Sequence, residues 1–264
     1  MKHHSPPHRP FPPVLSFHHM SVKYRHHIAL ENLNGQICSG SLLAVLGPNG
    51  GGKSTFLKTL VGFLKPFKGT FKRQGITMRQ IAYLPQQADI DRSFPLTVRE
   101  VVAMGLTQEQ GFFSNLEGTC EKAVREALAQ VGLGQHLDRP LHTLSGGQFQ
   151  RALFARLILQ KAALILLDEP FAAIDYATID DLIKLIMSWR QEGKTIIVVT
   201  HDLDLVRTYF PETLVLAKKI IAWGPTVEVL TLDHLRMAKR LSRSWENHLE
   251  SKTDEFLTSV VLPQ

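Results

Sequence analysis

Cysteine is scarce in this sequence of 264 residues, which holds only two, Cys38 and Cys120. They lie far apart, with no CxxC pair and no Cys/His spacing of the kind that binds zinc. The sequence therefore predicts neither a disulfide framework nor a structural zinc site, and a protein of a reducing compartment is favoured.

Long apolar runs are also missing. The longest, Ala162 to Leu167, ends at Asp168 and falls far short of the roughly 18 residues that a membrane-spanning helix needs. No apolar stretch follows the basic start of the chain, so we expect no secretory signal. A role at a membrane would then depend on another polypeptide.

Neither sign of charge dominates the composition. Charged residues make up 20% and apolar residues 44%, a balance that is typical of a globular chain with a substantial core. The formal net charge of +6 would suit nucleic acid, anionic lipid or nucleotide phosphate alike, so it does not choose among these partners.

The order of strand and helix patterns predicts an α/β protein. A Pro- and His-rich segment, residues 1–13, is expected to be a flexible tail, and after it short apolar runs alternate with helical patterns. A helical pattern from Lys53 to Val61 follows the second run. Short buried strands separated by helices are typical of a largely parallel sheet. The predicted strands are Val14 to Tyr24, Ser41 to Leu46, Ile81 to Leu84, Ala163 to Leu167 and Thr195 to Val199.

The middle of the chain, residues 87–160, has helical patterns with little strand character. Thr97 and Glu100 predict a capping box at the start of one helix. The stretch from Cys120 to Val131 has helical spacing with alternating charges. We therefore predict a helical subdomain inserted in a main domain of residues 14–230.

The C-terminal part predicts a closing hairpin and then a helix. Leu214 to Ala217 and Ile220 to Trp223 flank two lysines and have strand character. Residues 231–264 are predicted as a helical extension, which is either an accessory element or a solvated face.

A glycine-rich segment follows the second predicted strand and precedes a helical pattern. It satisfies the P-loop pattern GxxxxGK[ST] in the strand-to-helix position that the pattern requires. Its glycines allow successive backbone N–H groups to point at phosphate oxygens, and the helix N-terminus adds its positive dipole end. Lys53 is expected to bridge the β- and γ-phosphates of ATP, and Ser54 to bind Mg²⁺. The candidate contacts of ATP in this segment are Gly47, Pro48, Asn49, Gly50, Gly51, Gly52, Lys53, Ser54 and Thr55.

A later apolar strand delivers two carboxylates at its C-terminal end, Asp168 and Glu169. Ligands bind at this edge of open α/β sheets. Asp168 is expected to hold Mg²⁺, directly or through water, and Glu169 to orient and deprotonate the water that attacks the γ-phosphate. Taken alone, the pair would fit a solvated strand end equally well, but after a P-loop it predicts nucleotide hydrolysis.

The segment Leu144-Ser145-Gly146-Gly147-Gln148 resembles, letter for letter, the signature of the ABC ATPase family. A serine and two glycines at a helix start make a second phosphate-binding end. In that family this end faces the γ-phosphate bound to the other subunit. The resemblance therefore implies a homodimer in which two ATP molecules are sandwiched between two P-loops and two signatures. The candidate contacts on this side are Ser145, Gly146, Gly147 and Gln148.

Four further residues match positions of the family in the expected order. Tyr24 matches the aromatic residue on which adenine stacks, and Gln86 matches the glutamine that reaches Mg²⁺ and senses the membrane partner. Asp175 matches the loop that contacts the opposite subunit, and His201 the switch histidine that contacts the γ-phosphate. The resemblance covers about Val14 to Val229 and implies a P-loop NTPase core. Its sheet would be mixed and largely parallel, with an antiparallel β subdomain and the inserted helical subdomain.

One departure from the family pattern is visible. The family commonly has alanine where this chain has Gly51. Glycine loosens a loop backbone without removing an N–H donor, so we expect ATP binding to survive. Both carboxylates and the switch histidine are present, which favours a subunit that hydrolyses ATP over a module that only binds nucleotide.

One stretch bears on the transported substrate. Residues 91–105, with the run Asp-x-x-Phe-Pro-x-Thr-Val, resemble the segment after the glutamine in ATPases of zinc and manganese importers. Importers of iron chelates, haem and cobalamin have a related stretch and are the alternative. The resemblance implies integral membrane permease subunits as direct partners and an extracytoplasmic metal-binding protein as an indirect one. It also implies a peripheral position on the cytoplasmic face of the inner membrane.

An ABC ATPase that acts on nucleic acid or ribosomes is the alternative of another class. In sequence, such proteins resemble two ABC ATPase domains (cassettes) joined in one chain, or one cassette that a long coiled coil interrupts. This sequence has one cassette and no sustained heptads. We therefore expect no nucleic acid partner.

Overall fold

The computed structural model describes residues 11–24, 27–86, 90–92, 94–106 and 119–241. Its strands are β1 (Pro13–Tyr24), β2 (His27–Cys38), β3 (Leu42–Leu46), β4 (Lys68–Arg73), β5 (Ile81–Leu84), β6 (Leu164–Asp168), β7 (Thr195–Val199), β8 (Glu212–Ala217) and β9 (Lys219–Pro225). Its α-helices are α1 (Lys53–Val61), α2 (Val98–Ala103), α3 (Thr119–Gln130), α4 (Gly146–Leu159), α5 (Tyr176–Gln191), α6 (Leu203–Tyr209) and α7 (Thr226–Val229), and residues 232–241 are also helical.

The larger sheet has six strands in the order β5-β6-β7-β3-β8-β9. All neighbours are parallel except β8 and β9, which form the predicted antiparallel hairpin. Every residue of β3, β6 and β7 is buried, as expected for parallel strands that are covered on both faces. The prediction of a mixed, largely parallel sheet is confirmed. Since parallel strands end at one edge, the segments that follow β3, β6 and β7 share that edge.

The smaller sheet is antiparallel, with the order β2-β1-β4. The antiparallel β subdomain is thus confirmed, although the sequence patterns predicted only β1 of its strands. Strand β4 has four exposed and two half-buried residues and carries Lys68, Lys72 and Arg73, so it has no hydrophobic alternation to detect. Pairing with β1 makes it a strand, and its lysines suit an edge position.

Two hydrophobic clusters lie on opposite faces of the larger sheet. Because side chains alternate along a strand, Leu43 and Val45 of β3 join the cluster under α1 and the smaller sheet, whereas Leu42, Ala44 and Leu46 join the cluster under α4 and α5. In the first cluster, the Phe17 ring stacks on Trp223 at a centroid distance of 5.8 Å and meets Phe56 edge-on at 5.7 Å. These contacts fasten the smaller sheet to α1 and β9.

The helical segment begins with the predicted capping box. The Glu100 carboxylate accepts from the Thr97 N–H at 2.7 Å, and the Thr97 hydroxyl oxygen accepts from the Glu100 N–H at 3.3 Å. Helices α2, α3 and α4 pack together within residues 87–160. The domain boundaries at 14–230 and 87–160 remain predictions.

The predicted terminal segments are only partly described. Most of the tail at residues 1–13 and of the extension at residues 231–264 falls outside the described residues, although β1 already begins at Pro13 and residues 232–241 are helical. Within the described ranges, none of the helices has the length and apolar character that crossing a bilayer needs.

Candidate active site

The loop between β3 and α1 presents an uncapped helix N-terminus. Gly50 and Gly52 have left-handed φ angles of 70° and 91°, a conformation that glycine adopts without strain. Gly52 is the N-cap of α1 and offers no side-chain acceptor, and the first turn of α1 holds no acidic residue. The first N–H groups of α1 are therefore left for a ligand, as in an anion-binding loop. Asn49 and Gly50 are exposed at the loop tip, and the Thr55 carbonyl accepts from the Thr59 hydroxyl inside α1.

The loop is packed tightly against its neighbours. A Cβ atom on Gly51 would lie 2.8 Å from the Pro48 carbonyl oxygen and 2.9 Å from that of Leu216. The Gly51 carbonyl also accepts a 2.7 Å hydrogen bond from the Lys218 N–H, at the tip of the β8–β9 hairpin. We expected glycine at this position to loosen the loop. The structure adds a steric reason for glycine here, because alanine would require the loop or β8 to shift.

Lys53 lies inside this loop rather than in solvent. Its residue is 7% exposed, and its Nζ donates to the carbonyl oxygens of Gly47 at 2.9 Å and Pro48 at 3.0 Å. Burial lowers the pKa of Lys53, and the nearby carboxylates of Glu169 and Asp168 partly offset this effect. The ammonium group is thus held by the carbonyl groups of the phosphate loop, close enough to Glu169 and Asp168 to interact with their charges. Its contact with the β- and γ-phosphates stays a prediction.

Asp168 ends β6 as a buried carboxylate. It is 1% exposed, its Oδ2 lies 3.5 Å from the Tyr83 hydroxyl, and its Oδ1 finds no hydrogen-bond donor among the residues that the structure describes. Burial is the main cause that raises the pKa of Asp168, while a hydrogen bond from Ser54 acts in the opposite direction. A buried carboxylate oxygen without a donor, next to a serine hydroxyl, fits the oxygen ligands that Mg²⁺ takes.

Glu169 follows in a conformation that is uncommon for a residue with a side chain. Its φ is 50°, in the left-handed region, and its N–H donates to the Val199 carbonyl at 3.0 Å. Its side chain is 17% exposed, and its Oε2 lies 3.5 Å from His201 Nδ1, on a side chain that is 71% exposed. The structure thus brings together Glu169 and His201, which follow the neighbouring strands β6 and β7.

The turn before α4 is capped by its own side chains. Ser145 is the N-cap of α4, its hydroxyl oxygen accepts from the Gln148 N–H at 3.2 Å, and Gln148 Oε1 accepts from the Ser145 N–H at 3.1 Å. A Cβ atom on Gly147 would lie 3.2 Å from a carboxylate oxygen of Asp175, and one on Gly146 would lie 3.3 Å from the Ala173 carbonyl oxygen. In the single chain, this turn therefore packs against the segment that follows Glu169.

The family model described as ABC transporter matches residues 30–172, which include the phosphate loop, the carboxylate pair and the turn before α4. The chain belongs to the ABC transporter family. Its predicted class, an ATPase whose activity is coupled to transport, is confirmed by this match, and so is the predicted fold.

Three relatives that align with most of this chain are named for metal transport. A probable metal transport system ATP-binding protein of Chlamydia pneumoniae is 42% identical over 83% of this chain and 86% of its own length. The manganese transport system ATP-binding protein MntB of Halalkalibacterium halodurans is 38% identical, with 93% and 98% covered. The zinc transport system ATP-binding protein TroB of Treponema pallidum is 39% identical, with 83% and 84% covered. The resemblance to ATPases of zinc and manganese transporters is confirmed.

A solved structure has the same fold. A chain from an ABC transporter assigned to the metal-chelate type, in an inward-facing conformation, is 31% identical. It superposes with a TM-score of 0.75 over 85% of this ABC protein and 88% of that chain.

Two of the residues matched to family positions lie at or just after strand ends. Tyr24 closes β1 and is 57% exposed, so its ring is accessible for stacking. Gln86 comes two residues after β5, and the register that pairs Leu84 with Leu167 puts it beside the end of β6. It is half-buried. The roles of Tyr24 with adenine and of Gln86 with Mg²⁺ stay predictions.

Asp175 has a clear role within the single ABC chain. As the N-cap of α5, its carboxylate accepts from the N–H and from the hydroxyl of Thr178, each at 2.9 Å. These hydrogen bonds, the backbone one first, lower the pKa of Asp175. Its predicted contact with an opposite subunit is a separate role and stays a prediction.

Sequence reasoning missed three residues around the site. Tyr83 reaches Asp168, Lys218 holds the phosphate loop through its backbone N–H, and Arg151 crosses from α4 to α5. Each contact joins residues that are between 30 and 167 positions apart, so periodicity offers no signal for it. For Lys218, the sequence predicted only that it lies in a hairpin turn together with Lys219.

Proposed function

We propose that this chain binds and hydrolyses ATP as the subunit that powers import of a divalent metal ion, zinc or manganese. The observation that carries the metal assignment is that relatives at 38–39% identity over most of the chain are named as manganese and zinc transport system ATP-binding proteins. The convergence of Lys53, Asp168 and Glu169 at one sheet edge supports the hydrolytic part.

Each group at this edge has a proposed task. The phosphate loop, residues 47–55, binds the ATP phosphates through Lys53 and through backbone N–H groups, which all of these residues except Pro48 have, and adenine stacks on Tyr24. Ser54, Asp168 and Gln86 would hold Mg²⁺, which supplies charge neutralisation at the phosphates. Glu169 accepts a proton from the attacking water, and His201 contacts the γ-phosphate.

Two copies of the chain are proposed to complete the site. Ser145, Gly146, Gly147 and Gln148 of one copy would face the γ-phosphate on the other, and Asp175 would contact the opposite subunit. Helix α4 has no acidic residue in its first turn that would repel a phosphate.

Integral membrane permease subunits are the proposed direct partners, with an extracytoplasmic metal-binding protein engaged through them. The subunit would then lie peripherally at the cytoplasmic face of the inner membrane, without a nucleic acid partner. Phe94 and Met104, within the stretch that resembles zinc and manganese importer ATPases, are 61% and 36% exposed. Both apolar side chains are therefore accessible to a partner protein.

A metal chelate is the second candidate substrate. The likeness to a transporter assigned to the metal-chelate type, at 31% identity, favours it specifically. In that case the same ATPase machinery would serve an importer of an iron chelate, haem or cobalamin.

Uptake measurements test the substrate. Cells that lack this chain should lose high-affinity uptake of zinc or manganese but keep uptake of chelated iron, and the wild-type gene should restore it. The matched control is the Lys53→Ala variant, which should be expressed but should not restore uptake. Loss of chelated iron uptake alone would move the assignment to the second candidate.

Copurification tests the class of protein. The tagged chain should bring an integral membrane protein with it from detergent extracts. Copurifying nucleic acid or ribosomes, with no membrane partner, would contradict the transport role.

A further inference from the structure

Arg151 joins three helices at a place that the proposed chemistry does not use directly. It lies on α4, one turn after Gly147 of the signature turn. Its guanidinium donates to the Thr178 hydroxyl at 3.3 Å and to the Asp181 carboxylate at 2.8 Å, both on α5. It also donates to the Val131 carbonyl at 3.1 Å, just after α3. A single planar group thus spans two elements besides its own, which suits the rigid fork of arginine.

The acceptor on α5 is part of another cap. The Thr178 hydroxyl that accepts from Arg151 itself donates to the carboxylate of Asp175. The same two oxygens, of Asp175 and Thr178, lie 3.2 Å from the position of a Cβ atom on Gly147. Signature turn, cap of α5 and Arg151 therefore form one packed junction, in which a larger residue at Gly147 would push the side chains of Asp175 and Thr178 away by a few tenths of an ångström.

This junction is the far end of a strained segment. Between β6 and α5, Glu169 and Ala173 have left-handed φ angles of 50° and 57°. Such conformations persist where the surroundings hold them in place. At the near end, the Glu169 N–H is bonded to Val199 of β7. At the far end, the segment is held by the Asp175 cap and, through Thr178, by Arg151.

We propose that Arg151 is a positioning residue for ATP hydrolysis. By joining α4 to the first turn of α5, it holds the signature turn and the Glu169 segment of the same chain as one unit. A displacement of the signature turn, such as one imposed by a second copy, is then transmitted to the base. This inference rests on the proposed role of Glu169.

The exposure of the Arg151–Asp181 ion pair indicates that it orients α4 relative to α5 rather than stabilises the fold. The Arg151 side chain is 20% exposed and that of Asp181 is 49% exposed. A partly solvated ion pair contributes little to the free energy of unfolding. Loss of the guanidinium should therefore leave the fold largely intact and change the relative placement of α4 and α5.

The experiment compares Arg151→Gln with Arg99→Gln in the full chain. Arg99 is the matched control, since it also joins elements of the helical segment, by ion pairs to Asp138 at 2.7 Å and Glu121 at 3.1 Å, but not to α5. Arg151→Gln should lower kcat for ATP about ten- to hundredfold, the cost of a displacement of about 1 Å at a reacting group. Its Kd for ATP should stay within about twofold, because the phosphate loop is untouched. Arg99→Gln should keep both values.

Two results would overturn the inference. One is a kcat for Arg151→Gln equal to that of Arg99→Gln. The other is a loss of ATP affinity in parallel with kcat, which would indicate general damage to the fold. If Arg151→Gln does not fold, Thr178→Val decides, because it removes the hydroxyl through which Arg151 reaches Asp175 and keeps the backbone hydrogen bond of the α5 cap. It should lower kcat at unchanged Kd, and an unchanged kcat would overturn the inference.

Glu169→Gln in the same assay separates this inference from the proposed function. If Glu169→Gln hydrolyses ATP at the normal rate, the assignment of the base is wrong whatever Arg151 does. If Glu169→Gln is inactive and Arg151→Gln is normal, the base stands and only the positioning role is lost.

Discussion

The phosphate loop and the signature turn both lie at helix N-termini suited to phosphate, yet in the single chain these N-termini are capped differently. The N-cap of helix α1 is Gly52, which has no side chain to cap the helix, whereas the N-cap of α4 is Ser145, which forms a capping box with Gln148. The Lys218 N–H donates to the loop before α1, and this loop encloses Lys53. In the signature turn, Ser145 is exposed and the next three residues are half-buried. Neither helix has an acidic residue in its first turn.

The difference concerns what each end needs in order to bind. Uncapped N–H groups in a rigid loop are preorganised for an anion, so one chain should bind ATP through the phosphate loop alone. At the signature turn, the Gln148 N–H is already satisfied by Ser145. Phosphate that binds the Gln148 N–H would have to replace this cap, which suits a contact made only when a second copy brings its nucleotide.

The largest effect should come from Glu169→Gln, which acts after both ends have bound. The substitution keeps the size of the side chain but removes the proposed base, so hydrolysis should fall by about 10² to 10⁴. Single-turnover hydrolysis measures this, and size-exclusion chromatography should show an ATP-bound dimer that accumulates. Hydrolysis near the wild-type rate would leave His201 as the leading candidate for the base.

The second-largest effect should come from Lys53→Ala, which weakens ATP binding at the phosphate loop. A charge-assisted hydrogen bond is worth about 1.5–3 kcal/mol, so the affinity of the monomer for ATP should fall roughly ten- to hundredfold. Nucleotide titration of the purified variant measures it. The control is Lys65→Ala, an exposed lysine just beyond α1, which should bind normally. Wild-type affinity in Lys53→Ala would contradict its assigned contact with phosphate.

Ser145→Arg should affect only the signature side. A bulky cation at this helix start should leave ATP binding to the monomer unchanged, yet block ATP-driven dimerisation and lower turnover at least about tenfold. The control Ser145→Ala removes the cap alone, at a cost in stability of about 1 kcal/mol. If Ser145→Arg lost ATP binding as a monomer, the two ends would not be independent, and the comparison would fail.

The smallest effect concerns the folding stability of the protein, which the buried carboxylate of Asp168 should lower when no ligand is bound. The pKa of Asp168 lies above its ordinary value of 3.8, mainly because the group is buried. The folded protein therefore binds this proton more tightly than the unfolded chain, and folding stability falls as the pH rises from about 3.8 through the raised pKa.

Asp168→Asn should remove the loss of folding stability that the buried charge causes. The Tm of the nucleotide-free variant should exceed that of the wild type at pH 7 by a few °C at most, since 1 kcal/mol corresponds to about 2–4 °C in a chain of this size. The difference should vanish at pH values below about 4. Thermal unfolding at both pH values measures it, and a variant that is less stable than wild type at pH 7 would contradict the buried-charge explanation.

Much of the larger sheet was predictable because its signals are local. Strands β5 and β7 and helix α1 have the predicted bounds, since each is a short run between clear turn or capping residues. Strands β2 and β4 were missed, because polar residues such as Glu31 and Asn34 interrupt any alternation in the first and cations fill the second. Their pairing with β1 supplies the free energy that local propensity does not.

The sequence by itself determined the chemical groups of the site and their order along the chain. The phosphate loop, the carboxylate pair and the signature are contiguous motifs, so their residue types and spacing are visible without a fold. Tertiary structure alone decided which of these groups meet. The clearance around Gly51, the contact of Glu169 with His201 and the bridge from Arg151 to α5 all join segments far apart in sequence. Such contacts depend on how strands are ordered and helices are packed, and no local pattern encodes either.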